Sequence, residues 1–184
     1  PKRTILVGHW GSEEQGLNGS RSFVEDHPDI VDNVQAVFNQ DNGTGRVINI
    51  SGQGYLNAYD YLSRWINQVP QYVSQHIETD FPGIPGGGGS DYASFIAAGV
   101  PAFSLSSLNW SYRNYTWHTN RDTYDKIIFD DVRNNVILTV ILAYMASEDP
   151  KFTSREKSIL PLNKRTGKQM EWPSKRLPNR KGGQ

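Results

Sequence analysis

The stretch TILVGHWGSEEQGLNGSRSFVEDHP, residues 4–28, decides how the rest of the chain is read. Thr4 to Gly8 is a short apolar, β-branched run of the kind that forms a buried strand. A polar, glycine-rich loop follows over His9–Gly16, and Leu17 to His27 then reads as a helix that Pro28 stops. Strand, loop and helix in succession are the unit of an α/β domain, and the chain repeats that unit. Val34 to Asn39 reads as a second strand, ending at Gln40-Asp41-Asn42-Gly43. Gly43 and Gly45 mark a turn, and Arg46 to Ile50 is a third strand. Tyr55, Leu56, Tyr59, Leu62, Trp65, Ile66 and Val69 recur at helical spacing until Pro70 ends the pattern. Tyr72 to Glu78 is a weaker strand candidate, and Pro82 to Gly89 must be a loop.

Ser90 or Asp91 is expected to cap a helix running through Ala98, because a short side-chain oxygen can satisfy the free N–H groups there. Gly99 closes that helix, and Pro101 to Leu105 is a further strand. Asn109 to Asp125 reads as a long loop. Asp130 is expected to cap a helix from Asp131 to about Ser147, with Val132, Val136, Ile137, Val140, Ile141, Tyr144 and Met145 on its buried side. The expected architecture is a three-layer α/β domain, a largely parallel twisted sheet flanked by helices. Its body covers residues 1–149, and residues 150–184 form a basic, proline-containing tail packing on it. In such sheets ligands sit beyond the carboxyl ends of the strands, where Glu13, Glu14, Asp41 and His118 all fall.

Composition narrows the chemistry. Of 184 residues 36% are hydrophobic and 11% aromatic, enough for a real core, and there is no Cys. Any metal must therefore be held by His, Asp or Glu, and no disulfide framework exists. No apolar run is long enough to cross a bilayer, and no leader peptide is visible. An apolar run directly after Pro1-Lys2-Arg3 suggests that the natural protein extends upstream. The formal net charge is zero, but residues 1–150 hold 17 acidic and 9 basic side chains against 2 and 10 in residues 151–184. A basic tail across an acidic body accounts for this, and a tail seeking an anionic partner is the alternative. Aromatic residues in the tail are limited to Phe152 and Trp172, so nucleic-acid binding is not expected.

Three groups can carry chemistry. Adjacent carboxylates such as Glu13 and Glu14 repel, and a metal gives them a reason to stay together. Glu14 can bind the ion while Glu13 accepts a proton from metal-bound water, whose pKa coordination lowers. Two solvated carboxylates near a helix N-terminus are the plainer explanation of the pair alone. Asp41 before Asn-Gly has the look of a turn residue. His118 can be a hydrogen-bonding side chain or a metal ligand.

Four segments, in order, carry a resemblance: WGSEEQGLNGS at 10–20, FNQDNG at 38–43, GGSDYASFIAAGVPA at 88–102 and WHTNRDTYDKI at 117–127. Together they resemble the co-catalytic zinc aminopeptidase and carboxypeptidase family that includes bacterial leucyl aminopeptidases and plasma glutamate carboxypeptidase. The likeness covers most of residues 1–147, and it implies that residues 1–149 are the C-terminal portion of a zinc peptidase catalytic domain. By that resemblance Glu13 is the general base. Glu14 and His118 bind one zinc and Asp41 the other, two ions being expected in the complete domain. Asp91 fixes its helix and is not a ligand, while Asp122 and Asp125 order the His118 loop.

His9 is given a supporting or packing role beside the site. The family places a His and a bridging Asp upstream of the glutamate pair, so an upstream segment of the same protein, or a second chain, must complete the site. Many relatives also carry Tyr before the ligand His. Here that residue is Trp117, whose indole can only donate, and Tyr112, Arg113 or Tyr115 can replace it. The implied function is hydrolysis of peptide bonds at a chain end, on peptide or dipeptide substrates, through zinc-bound hydroxide. The isolated chain is expected to be inactive, and the setting secreted or periplasmic in preference to cytoplasmic. The alternatives are a non-catalytic interaction domain of the same fold and a glutaminyl-cyclase-like activity.

Overall fold

A computed structural model describes residues 1–41 and 43–180. The elements run α1 (Asn18–Asp26), α2 (Pro28–Asp32), β1 (Val37–Asn39), β2 (Val47–Ser51), α3 (Ala58–Ile66), α4 (Gln71–Ser74), β3 (Glu78–Asp80), α5 (Tyr92–Ala97), β4 (Ala102–Ser107), α6 (Tyr112–Tyr115) and α7 (Phe129–Glu148). The four strands form one sheet in the order β1-β4-β2-β3. β1 runs parallel to β4 and β2 parallel to β3, while β2 and β4 are antiparallel, with an irregularity between Val47 and Asn49. The sheet is therefore mixed, and helices cover it. Side chains alternate across a strand, so Ala102 of β4 faces the cluster of Val24, Val31, Phe95, Ile96 and Val100 under α1 and α5. Phe103 and Leu105 face the larger cluster of Ile50, Tyr61, Leu62, Trp65, Leu138 and Leu142 under α3 and α7. The three-layer α/β architecture expected from the sequence is present.

The largest departure is at residues 4–8. They are coil, and Ile5, Leu6 and Val7 are 44%, 62% and 81% exposed. A strand needs a neighbour for its N–H and C=O groups, and among the described residues none pairs with this run. Residues just before it are held: Arg3 donates to the carbonyls of Ser147 (3.2 Å) and Asp149 (2.5 Å). A cation there satisfies the orphan carbonyls at the end of α7 and complements the helix dipole.

Other differences have local causes. Pro28 does end α1, but it also opens α2 at its first position, where the missing N–H costs nothing. The strand candidate at Tyr72–Glu78 is instead α4 followed by β3. The expected side-chain caps are absent. Asp91 sits at the start of α5 without a capping bond, and Ser90 instead accepts from Asn39 Nδ2 at 2.8 Å. Asp130 lies inside α7, which begins at Phe129 with Ile128 before it. The buried side of α7 is also rotated from the expected one. Val136, Val140 and Tyr144 are about half exposed, while Asp131, Asn135, Leu138, Leu142 and Ala146 are buried. The helix is apolar nearly all round, so hydrophobic periodicity gives no unique face; the two polar residues choose it, as shown below.

The tail is tied down at several points. Gln35 Nε2 donates to the Lys151 carbonyl, and the Thr153 N–H donates to Gln35 Oε1 at 3.1 Å. Arg155 reaches the carbonyls of Val31, Asp32 and Val34. Trp172 packs edge-on to Tyr55, 5.3 Å between centroids, and donates to the Ser158 carbonyl. Among the described residues no helix is long and apolar enough to cross a membrane.

Candidate active site

The Glu13–Glu14 loop is built onto the first turn of α1. The N–H groups of Gly16 and Leu17 both donate to the Glu13 carbonyl (2.9 and 2.8 Å), Asn18 N–H to Ser12, and Gly19 N–H to Gly11. Gly19 is needed for this close approach: a Cβ there would sit 2.5 Å from the Gly11 oxygen. Ser12, Gly16 and Leu17 take left-handed backbone, which folds the loop back over its helix. Leu17 is buried, so the loop is anchored by an apolar side chain next to its carboxylates. Glu13 is half-buried and Glu14 exposed. Burial raises the Glu13 pKa, and the negative charges of Asp41, Glu14 and Asp91 raise it further, with His118 opposing.

His118 reaches the same place from the other end of the chain. Its Nε2 lies 2.8 Å from Glu14 Oε1. The residue has φ +56°, a left-handed conformation that side chains rarely adopt. The surrounding turn holds it: Thr116 and Trp117 N–H groups donate to the Tyr112 carbonyl, and Thr119 Oγ1 donates to the Thr116 carbonyl at 2.8 Å. Trp117 stacks on the imidazole at 4.0 Å, and the Arg113 guanidinium lies 5.4 Å from the indole ring centre. Arg113 and Tyr115 are exposed. Tyr112 occupies a different position. A Cβ on Gly43 would lie 3.0 Å from its ring, so the ring packs on the turn just after Asp41. Its phenol pKa is raised by burial, then by Asp122, Asp41 and Glu14.

Asp41 follows β1 and is exposed, while Asp91 is buried behind it. Asp91 Oδ1 has no hydrogen-bond partner among the described residues. Burial raises its pKa, Ser20 opposes, and Asp41 adds to the rise. His9 is exposed, and Asp125 pairs with Thr123 and Lys126. The structure thus gathers Glu13, Glu14 and His118, with Asp41 and Asp91 electrostatically within reach, and leaves His9 exposed.

Three supporting residues gave no signal in the sequence. Asp131 on α7 accepts Arg46 Nε at 2.9 Å and Trp110 Nε1 at 2.8 Å. It therefore ties the segment after Asp41 to the segment before His118. Asn135, one turn on, donates to the Gly45 carbonyl and accepts from the Val47 N–H, both at 2.8 Å. These bonds turn the polar residues of α7 inward. Asn18 is the third, donating through Nδ2 to the Gln15 carbonyl at 3.1 Å.

A carboxylate oxygen and an imidazole nitrogen brought within 2.8 Å are donors of the kind zinc takes. The number falls short of a closed shell, since among the described residues no three His, Cys, Asp or Glu side chains gather for one ion. The donors fit zinc in type but, among the described residues, are too few to close its shell.

Comparison with known proteins gives the family of the chain. The chain is 31% identical over 140 residues to a probable glutamate carboxypeptidase of Arabidopsis thaliana, covering 64% of this chain and 20% of that protein. It is 27% identical to leucine aminopeptidase 1 of Coccidioides posadasii, covering 74% and 37%. A crystal structure of a peptidase M28 precursor from Shewanella amazonensis SB2B superposes with a TM-score of 0.64 at 25% identity, covering 83% of this chain and 32% of that one. The chain therefore spans between a fifth and two-fifths of the curated relatives it matches. The sequence model described as peptidase family M28 matches residues 1–144, and the chain belongs to that family.

Proposed function

We propose that this chain forms part of a zinc-dependent exopeptidase that hydrolyses peptide bonds at a chain end, with Glu13 as its general base. The observation that carries this reading is the contact of Glu14 Oε1 with His118 Nε2 at 2.8 Å, made between loops a hundred residues apart and beside the half-buried Glu13. Glu14 and His118 would hold one zinc ion and Asp41 a second. Bound zinc would supply a Lewis acid for the scissile carbonyl and lower the pKa of a water molecule. Glu13 takes a proton from the attacking water and passes it to the leaving amine, a transfer that its raised pKa suits. Asp91 stands behind the site, bonded to Ser20 but with its Oδ1 unpartnered among the described residues. Tyr112, whose ring packs on the Asp41 turn and whose hydroxyl is hydrogen-bonded to Asp122, replaces the oxyanion-facing tyrosine that Trp117 displaces, and Trp117 and Arg113 brace His118 by stacking. The unpaired run at residues 4–8 and the open edge of β1 support a segment from elsewhere in the protein, or from a second chain, completing the sheet and the metal shell.

The test is an assay of the complete protein on aminoacyl and dipeptide substrates. Hydrolysis with zinc, lost on chelation and restored by zinc, is the expected result; no turnover of either substrate type with zinc present would overturn the reading.

The 184-residue chain alone is expected to bind zinc weakly. A closed four-ligand site is worth about 10–16 kcal/mol, so half the donors correspond to a Kd of roughly one to a few hundred micromolar. Calorimetry giving two nanomolar sites on this chain would contradict the division of ligands given above.

A further inference from the structure

Building on that reading of Glu13 and Glu14, we propose that Asn18 is a positioning residue through which the C-terminal tail holds the Glu13–Glu14 loop in place. The Asn18 carboxamide is used at both ends. Its Nδ2 donates to the Gln15 carbonyl inside the loop at 3.1 Å, and its Oδ1 accepts the backbone N–H of Asn179 at 2.8 Å. One side chain therefore joins the loop to a residue 161 positions away in the chain.

The tail grips the other end of α1 next door. Arg180 pairs with Glu25 at 3.2 Å and with Asp26 at 2.6 Å. Upstream, the tail is fixed in the body of the protein. Trp172 packs on Tyr55, donates to the Ser158 carbonyl, and carries Lys157 4.8 Å from its ring centre. Between these anchors the tail does not close onto the helices. Pro173 to Leu177 line a cavity of about 180 Å³ with Leu17, Arg21 and Val24 of the α1 segment and Ala93 and Ala97 of α5. Packing along the span is therefore incomplete, and the polar contacts at Asn179 and Arg180 carry the coupling. The loop they steady contains three left-handed residues and two adjacent carboxylates, an arrangement with little apolar burial of its own beyond Leu17. Segments of that kind open locally at low cost unless tied.

The experiment compares Asn18→Leu and Asn179→Pro with the unaltered chain. The first removes both carboxamide bonds at similar size, and the second leaves Asn18 intact while removing the tail's N–H donor together with the Asn179 side chain. Amide hydrogen exchange is read at Gly16 and Leu17, whose N–H groups are bonded to the Glu13 carbonyl. Exchange there is expected to quicken about five- to tenfold in both variants, with β4 amides unchanged. In the complete zinc-loaded protein, Asn18→Leu is expected to lower kcat about ten- to a hundredfold with KM unchanged, because the base is misplaced and the substrate is not.

Exchange at Gly16 and Leu17 within twofold of the unaltered chain in Asn179→Pro overturns the proposal, even if Asn18→Leu fails to fold. A rise in KM with kcat unchanged in Asn18→Leu also overturns it. A complete protein that hydrolyses nothing overturns the functional reading instead, and the exchange measurement still decides the role of the tail.

Discussion

Replacing Glu13 with Gln is expected to slow turnover by the complete, zinc-loaded protein by at least about a hundredfold while leaving the metal-free chain at least as stable as before. Gln keeps the shape of the side chain and loses the capacity to take a proton. A positioned acid–base group contributes about 10²–10⁴-fold to rate, so kcat should fall by roughly that factor with KM little changed. Retention of more than about a tenth of kcat would remove Glu13 from the reaction. The stability half of the expectation follows from electrostatics. Burial, together with Asp41, Glu14 and Asp91, raises the Glu13 pKa above its ordinary value. The folded chain then holds this proton more tightly than the unfolded chain does, and stability falls as pH rises between the two pKa values. Ionised Glu13 therefore costs stability at neutral pH, a cost that is absent below the ordinary carboxylate range and complete above the raised folded value. The Gln variant escapes it. Denaturant titration in the presence of chelator should show a midpoint equal to or above that of the unaltered chain at pH 7, with the difference shrinking towards acid pH.

Asp131→Ala is expected to be the most damaging single change to stability among the residues that brace the site. Asp131 is 1% exposed and accepts hydrogen bonds from Arg46 and Trp110. Removing one partner of a buried ion pair costs about 3–5 kcal/mol because the other charge is stranded. Arg46 keeps a third of its side chain in water, so about 2–4 kcal/mol is the better expectation once that screening is allowed for. Urea unfolding should show the loss as a lower midpoint at unchanged slope, and a loss under about 0.5 kcal/mol would show that the pair is incidental.

The pH dependence has the opposite sign to that of Glu13. Burial alone would raise the Asp131 pKa, but the hydrogen bonds from Trp110 and Arg46 and the Arg46 charge outweigh it, and the net shift is downward. Its contribution is full above the ordinary carboxylate range and is lost as pH falls through the lower folded value. The gap between Asp131→Ala and the unaltered chain should therefore close in acid. Because Arg46 follows the Asp41 turn and Trp110 precedes the His118 loop, the same variant should loosen both.

Much of this protein is legible in its amino-acid sequence, and particular residues show why. The Glu13-Glu14 pair, Asp41 and the His118 segment stand out because their residue types and order are chemically demanding, and local sequence records them directly. The alternation of apolar strands with amphipathic helices likewise exposes the α/β class. The helix α3 was visible because Leu62, Trp65 and their neighbours repeat at one strong period.

Other features depend on neighbours that lie far away in sequence. Residues 4–8 have the composition of a strand, yet strand formation needs a partner's backbone, and none of the described residues provides it. The inward face of α7 could not be chosen by hydrophobicity, since apolar side chains occupy every side; buried Asp131 and Asn135 set it through bonds to Arg46, Trp110, Gly45 and Val47. The family, the α/β class and the inventory of reactive side chains are readable along the chain, because they are properties of residue type and local order. That Glu14 meets His118, that Tyr112 lies on the Asp41 turn and that Asn18 links the glutamate loop to the tail emerges from the three-dimensional fold. Such contacts arise where the folded backbone brings distant segments within a hydrogen bond of one another, a distance that no local pattern encodes.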